Sequence, residues 1–105
     1  MNLPAGRKFL ISWKARYESN LQKSFIKDLK THLKNNKLLS QIRNIIEEVE
    51  DTQNISMIKN LKKLKAEGSY YRIRAGNYRL GLIIKNGDVF FVRVLHRRDI
   101  YRFFP

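Results

Sequence analysis

Five arginines fall at strand spacing in the last third of this chain. Arg72 and Arg74 lie within Tyr70-Tyr71-Arg72-Ile73-Arg74-Ala75, Arg79 follows Tyr78, and Arg93 and Arg97 bracket Val94-Leu95-His96. Successive side chains along a strand point to opposite faces. Arg72 and Arg74 therefore emerge together, while Tyr71, Ile73 and Ala75 turn the other way. A guanidinium is a planar fork that grips phosphate through two parallel N–H bonds. Tyrosines set among such groups offer rings on which bases stack. This combination suits nucleic acid. A solvated sheet face is the plainer reading, but lysine would serve solubility equally well, and the face carries arginine.

The whole chain points the same way. Its 105 residues make one domain with a modest core, and an apolar content of 43% is enough for a folded chain. The 22 Lys and Arg against 9 Asp and Glu give a net charge of +13, an excess that opposes compaction and favours a polyanionic or acidic partner. The surplus is uneven: residues 61–105 hold 11 basic side chains against 3 acidic ones. The absence of cysteine excludes disulfides, thiolate nucleophiles and Cys-ligated zinc. His32 and His96 stand apart from any carboxylate cluster, so neither a metal site nor a cofactor is expected. Lys8, Lys14 and Arg16 interrupt any apolar leader, and no 18-residue apolar run suggests a membrane span. A cytoplasmic protein is the expectation.

The elements that must position the arginines can be read from periodicity. Lys8 to Trp13 suits an opening strand. Leu21, Phe25, Leu29 and Leu33 recur every four residues behind Ser19 and Asn20 as possible caps, which predicts an amphipathic helix. Asn35-Asn36 interrupts it, and a second helix runs through Leu39, Ile42, Ile45, Ile46 and Val49, antiparallel to the first. Thr52 to Glu67 reads as a connector carrying Lys62, Lys63 and Lys65. Three strands follow at Tyr70–Ala75, Tyr78–Lys85 and Val89–Leu95, joined by Gly76-Asn77 and Asn86-Gly87-Asp88, which supply tight-turn chemistry. The expected class is α+β: an N-terminal strand, a helix pair, then a three-strand meander completing a four-stranded antiparallel sheet, with a short C-terminal segment.

Parity assigns the faces. Tyr71, Ile73, Ala75, Leu80, Leu82, Ile84, Phe90, Val92 and Val94 should meet the helices. The opposite set holds Arg72, Arg74, Arg79, Gly81, Phe91, Arg93 and Arg97 on an open, concave face. His96 falls on the core side as a packed strand-end histidine, and His32 reads as structural or surface.

The strings Leu61-Lys62-Lys63-Leu64-Lys65, Tyr71-Arg72-Ile73-Arg74, Asn77-Tyr78-Arg79 and Val94-Leu95-His96-Arg97-Arg98-Asp99-Ile100-Tyr101-Arg102 resemble the RelE/ParE toxin superfamily of type II toxin–antitoxin systems, on its RelE side. Each motif alone is weak; four in register, in the right order of elements, are fairly specific. The resemblance covers nearly the whole chain. It implies a ribosome-dependent mRNA endoribonuclease that cuts the transcript in the decoding site and is disarmed by an acidic antitoxin. It also implies an active face formed by Arg72, Arg74, Arg79, Arg97 and Tyr101. Lys62, Lys63, Lys65, Arg93 and Arg98 would then hold ribosomal RNA. Two features depart from the family pattern: arginines stand at positions 72 and 74 where lysine is common, and the stretch from Arg97 to Tyr101 is shorter than in some members.

In such an enzyme the RNA brings its own nucleophile, the 2′-hydroxyl. The protein must help deprotonate it, neutralise the crowded phosphorane and protonate the leaving 5′-oxygen. Arginine is a poor base but an excellent clamp for phosphate charge, which suits Arg72, Arg74 and Arg79. A phenol among guanidiniums ionises more readily, so Tyr101 becomes the candidate base and Arg97 the group facing the leaving oxygen, with His96 a second candidate for proton transfer. Two alternatives stand beside this reading: a ParE-type toxin that poisons gyrase without nuclease activity, and a non-catalytic basic RNA-binding protein.

Overall fold

The structure, a computed structural model, describes residues 20–65 and 68–105. The strand expected at Lys8–Trp13 lies outside the described residues. Helix α1 (Lys23–Lys30) and helix α2 (Asn36–Asp51) lead through a 3₁₀ turn at Ile55–Met57 into four strands: β1 (Leu61–Lys63), β2 (Tyr70–Ala75), β3 (Tyr78–Lys85) and β4 (Asp88–His96). A single helical turn, α3 (Ile100–Phe103), follows. The strands form one antiparallel sheet in the order β1-β2-β3-β4. The α+β meander is therefore present, and its first described strand comes from the connector. Leu61–Lys63 is too short and too lysine-rich to show alternation, yet it pairs in register with Tyr71–Ile73.

Local chemistry explains the element ends. The Asn35 side chain accepts a hydrogen bond from the Leu38 N–H at 3.1 Å, so it caps the start of α2 rather than ending α1. Asn86 and Gly87 both adopt positive φ, 54° and 81°, as a two-residue hairpin loop twisted to match its strands requires.

Phe25, Leu29, Leu38, Leu39, Ile42 and Ile46 from the helices pack against Ile73, Leu80, Leu82, Phe91 and Val94 of the sheet in one buried cluster. One parity assignment is overturned. The register slips between Gly81 and Leu82: Gly81 faces Arg93, but Leu82 faces Phe91, leaving Val92 as the extra residue of a β-bulge. Phe91, expected on the outer face, is therefore only 2% exposed and packs on Phe25 at 5.5 Å between ring centroids, while Phe90 and Val92 are half-buried.

The free edge of β4 is covered. Phe91 exchanges backbone hydrogen bonds with Asn20 and Gln22, the Ser24 hydroxyl donates to the bulged Val92 carbonyl at 2.6 Å, and Asp28 accepts the Val94 N–H at 2.8 Å. Each satisfies an edge group that would otherwise invite another strand. No helix among the described residues is long and apolar enough to cross a membrane.

Candidate RNA-binding site at the β2–β3 hairpin

Pairing across the meander gathers the arginines into two rows. Lys62, Arg72, Gly81 and Arg93 lie side by side across β1 to β4, and Arg74, Arg79 and Leu95 form the next row toward the Gly76-Asn77 turn. Arg74 and Arg79 stand directly opposite each other, an arrangement of like charges that costs stability. Arg97 lies just past the end of β4, and its N–H donates to the Asn77 carbonyl at 2.8 Å, which ties it to the same turn. Gly76 takes φ 61° there, a left-handed conformation at the first position of a two-residue loop.

Hydrogen bonds to backbone carbonyls fix two of these side chains. Arg79 donates to the Gly76 and Tyr78 carbonyls, both at 2.9 Å, and Arg72 donates to the Asn60 carbonyl at 3.1 Å. The buried Arg72 Nε has no partner. Among the described residues, none of Arg72, Arg74, Arg79 and Arg97 forms an ion pair. The Arg79 guanidinium feels this: its pKa is pushed below the usual arginine value, first by burial and then by the charges of Arg72, Arg74 and Arg97, while Tyr101 acts in the opposite sense. The other four residues singled out from the sequence thus all act on Arg79. Arginine nevertheless stays protonated in proteins, so the site presents unneutralised positive charge in fixed positions, as a phosphate cradle requires.

Tyr101 arrives on α3, and the way α3 is held corrects the expectation of an open face. Ile100 and Phe104, on either side of Tyr101 in the chain, are both buried yet stand apart from the main core cluster. Phe104 lies over Gly81 and meets Tyr70 edge-on at 5.7 Å between centroids. A Cβ at position 81 would approach the Phe104 ring to 2.9 Å, so glycine there makes room for the ring. The C-terminal segment covers the middle of the arginine face, and Tyr101, 64% exposed, stands beside the part left uncovered.

The remaining candidates separate. Arg93 donates from Nε to Asp28 Oδ2 at 2.8 Å, a charge-assisted bond to α1. Its guanidinium is thus ion-paired within the protein, with the side chain 31% exposed. The Nε of Arg98 donates to His96 Nδ1 at 3.3 Å, and His96 in turn packs edge-on against Tyr78, which also meets His32. Lys62, Lys63 and Lys65 are exposed on and just after β1. Sequence reading missed Gln41, Asn44 and Asn60, which line an open depression of about 660 Å3 together with Arg74, Arg79 and Arg97. Carboxamides on a helix's polar face or in a loop carry no periodic signal that would mark them.

Known proteins similar to this chain identify its family. Residues 20–101 match the family model described as ParE toxin of type II toxin–antitoxin system, parDE. The chain belongs to the RelE/ParE toxin superfamily. The toxin is 43% identical over 84 residues to Toxin RelE3 of Methanocaldococcus jannaschii, covering 79% of this chain and 93% of that protein. Its fold matches the crystal structure of a RelB-RelE antitoxin-toxin complex from Methanococcus jannaschii with a TM-score of 0.67 and 39% identity, over 81% of this toxin and 98% of that chain.

Proposed function

We propose that the toxin is a ribosome-dependent mRNA endoribonuclease that acts without a metal ion and is neutralised by an acidic antitoxin. The observation that carries this reading is the convergence of Arg72, Arg74 and Arg97 with Tyr101 around Arg79, without a carboxylate paired to them among the described residues. Tyr101 takes the proton of the RNA 2′-hydroxyl, whose oxygen attacks the adjacent phosphorus. Arg72, Arg74 and Arg79 hold the charge that builds on the phosphorane oxygens. The bond to the 5′-oxygen breaks beside Arg97, whose charge stabilises the departing alkoxide until water protonates it. The products are a 2′,3′-cyclic phosphate and a 5′-hydroxyl. Among the described residues no imidazole or carboxyl pair joins this cluster, so precise alignment of the 2′-hydroxyl has to come from elsewhere. The decoding site supplies it, because in-line placement alone is worth several orders of magnitude.

The relative described as a RelB-RelE complex supports an antitoxin partner for this toxin, and a net charge of +13 makes an acidic one the natural fit. Toeprinting with purified protein should show cuts in mRNA on programmed ribosomes and negligible cutting of free transcript. Equal cutting of both removes the ribosome from the mechanism. The family model's ParE description keeps a gyrase poison in view; inhibition of gyrase supercoiling with no mRNA cleavage would establish that reading instead.

A further inference from the structure

Three depressions on the surface share residues and form one track. The depression holding Arg74, Arg79 and Arg97 meets a second across the Gly76-Asn77 turn, with Gln41 in both and Lys37 in the far wall. Asn35 belongs to that second depression and also to a third, which Lys30, His32 and Lys34 line. The track thus leaves the arginine cluster, rounds the tip of the hairpin and ends at the corner between α1 and α2.

Its lining has a consistent chemistry. Among the described residues, no acidic one borders any of the three depressions. The depression at the other end of the molecule holds Glu50 and Asp88 and no lysine or arginine. Along the track, cations alternate with the carboxamides of Asn44, Asn60, Gln41, Asn77 and Asn35. A carboxamide both donates and accepts, which suits base edges and 2′-hydroxyls, while a lysine is a point charge for phosphate. Lys30 closes α1, where a cation suits the helix dipole, but stability does not explain Lys37. Lys37 sits in the first turn of α2, which has no acid there, so it opposes the helix dipole. Lys30, Lys34 and Lys37 are all exposed.

We propose that this track binds single-stranded RNA running out of the arginine cluster, so that the toxin grips nucleotides beyond the scissile phosphate. The inference rests on the nuclease reading for its direction. An acidic peptide would satisfy the lysines but would leave the carboxamides and the continuity with the phosphate cradle unused.

Binding without ribosomes keeps the two ideas apart. Fluorescence anisotropy at low salt would use 2′-deoxy-blocked RNA oligonucleotides of about 3 and about 12 nucleotides, against a site of OB-fold-like reach. Wild-type toxin should bind the longer one roughly tenfold more tightly. The variant K30A/K34A/K37A should lose most of that gain, and its dependence of log affinity on log salt should flatten by about 2, the expectation for three lost contacts to a single strand. K23A/K27A/K59A removes the same charge from exposed positions off the track and should keep the gain. Absence of a length gain in the wild type, or an equal loss in both triple variants, overturns the track. So does polyglutamate competition that depends on Lys30, Lys34 and Lys37 as strongly as RNA binding does, since the site would then be one for an acidic protein. Failure of the nuclease reading would show differently, as no mRNA cleavage on programmed ribosomes by a wild-type toxin whose length gain in RNA binding persists.

Discussion

Arg79 and Arg93 stand on adjacent strands of one sheet and point to the same side, yet the molecule treats them in opposite ways. At the β4 edge, Arg93 is matched by Asp28, whose carboxylate also accepts a backbone N–H from the strand. In the interior of the sheet, Arg79 is surrounded by Arg72, Arg74 and Arg97 and makes its hydrogen bonds to carbonyls of its own hairpin. One cation is used to close an edge. The other is held in place and left uncompensated, at a cost in repulsion that folding alone gives no reason to accept. A cation neutralised at the edge and another left without an acid on the neighbouring strand make the contrast that the proposed anion-binding role would explain.

The largest expected effect tests the uncompensated side. Arg79→Ala or Arg97→Ala should each slow single-turnover cleavage on programmed ribosomes by about two orders of magnitude, the loss typical of removing one preorganised charge from a transition state, about 3 kcal/mol. Ribosome pelleting should be nearly unchanged, because the other cations supply the nonspecific electrostatic attraction. Near-wild-type rates for both variants would show that the hairpin end is not the active site and would dissolve the contrast with Arg93. Tyr101→Phe keeps the ring and removes only the hydroxyl. A loss as large as that of the arginine variants marks proton transfer, whereas a small loss reduces Tyr101 to a stacking surface.

The covering of the arginine face gives the next effect. Phe104→Ala should lower stability by about 2–3 kcal/mol in urea titration, as loss of a buried aromatic does when its surroundings relax in part. Cleavage should fall as well, though less than in Arg79→Ala, because the turn carrying Tyr101 loses the anchor on one side. Unchanged cleavage would mean that Phe104 only covers the sheet and does not place Tyr101.

Asp28→Ala should do the reverse of Arg79→Ala. It removes a charge-assisted partner from Arg93 and the acceptor for the Val94 N–H, at a cost of about 2 kcal/mol. The cleavage rate of the folded fraction should hold. A cleavage defect as large as that of Arg79→Ala would mean that Arg93 shares the work of the cluster after all.

How much of this could be read in advance differs between the two regions for a physical reason. The hairpin was legible because its signals are local: Asn-Gly and Gly-Asn turns at their loops, alternating Tyr-Arg-Ile-Arg along β2, and an arginine directly after Tyr78. The edge was not, because its causes are distant in sequence. Asp28 reaches Arg93 across 65 positions, and the bulge at Val92 inserts one residue, which reverses the parity of Phe90 and Phe91 without a glycine or proline to announce it. Gly81 is a third case. In the chain it reads as a gap on an exposed face, and only the Phe104 ring resting on it gives the reason. Carboxamides such as Asn60 stayed invisible for want of a pattern, although Asn60 takes φ 61° and offers its carbonyl to Arg72.

The smallest effect is the one whose sign separates the two regions most cleanly. Burial and three neighbouring guanidiniums lower the Arg79 pKa in the folded state. A basic group with a lowered folded pKa favours the unfolded chain as long as it is protonated, and arginine is protonated at every pH at which the protein would be handled. The penalty is therefore constant with pH and can be relieved only by removing a neighbour or screening it. Arg74→Gln takes one of those charges from an exposed position, so it should stabilise the fold slightly, by no more than about 0.5 kcal/mol, while slowing cleavage. Raising the salt concentration should give wild type a gain in melting temperature that Arg74→Gln shows less of, since screening acts on the repulsion the substitution has already reduced. The Asp28–Arg93 pair predicts the opposite response, because screening weakens an attraction. A destabilised Arg74→Gln with full activity would mean that the cluster is a structural network like the one at the edge, and the distinction between the two arginines would fail.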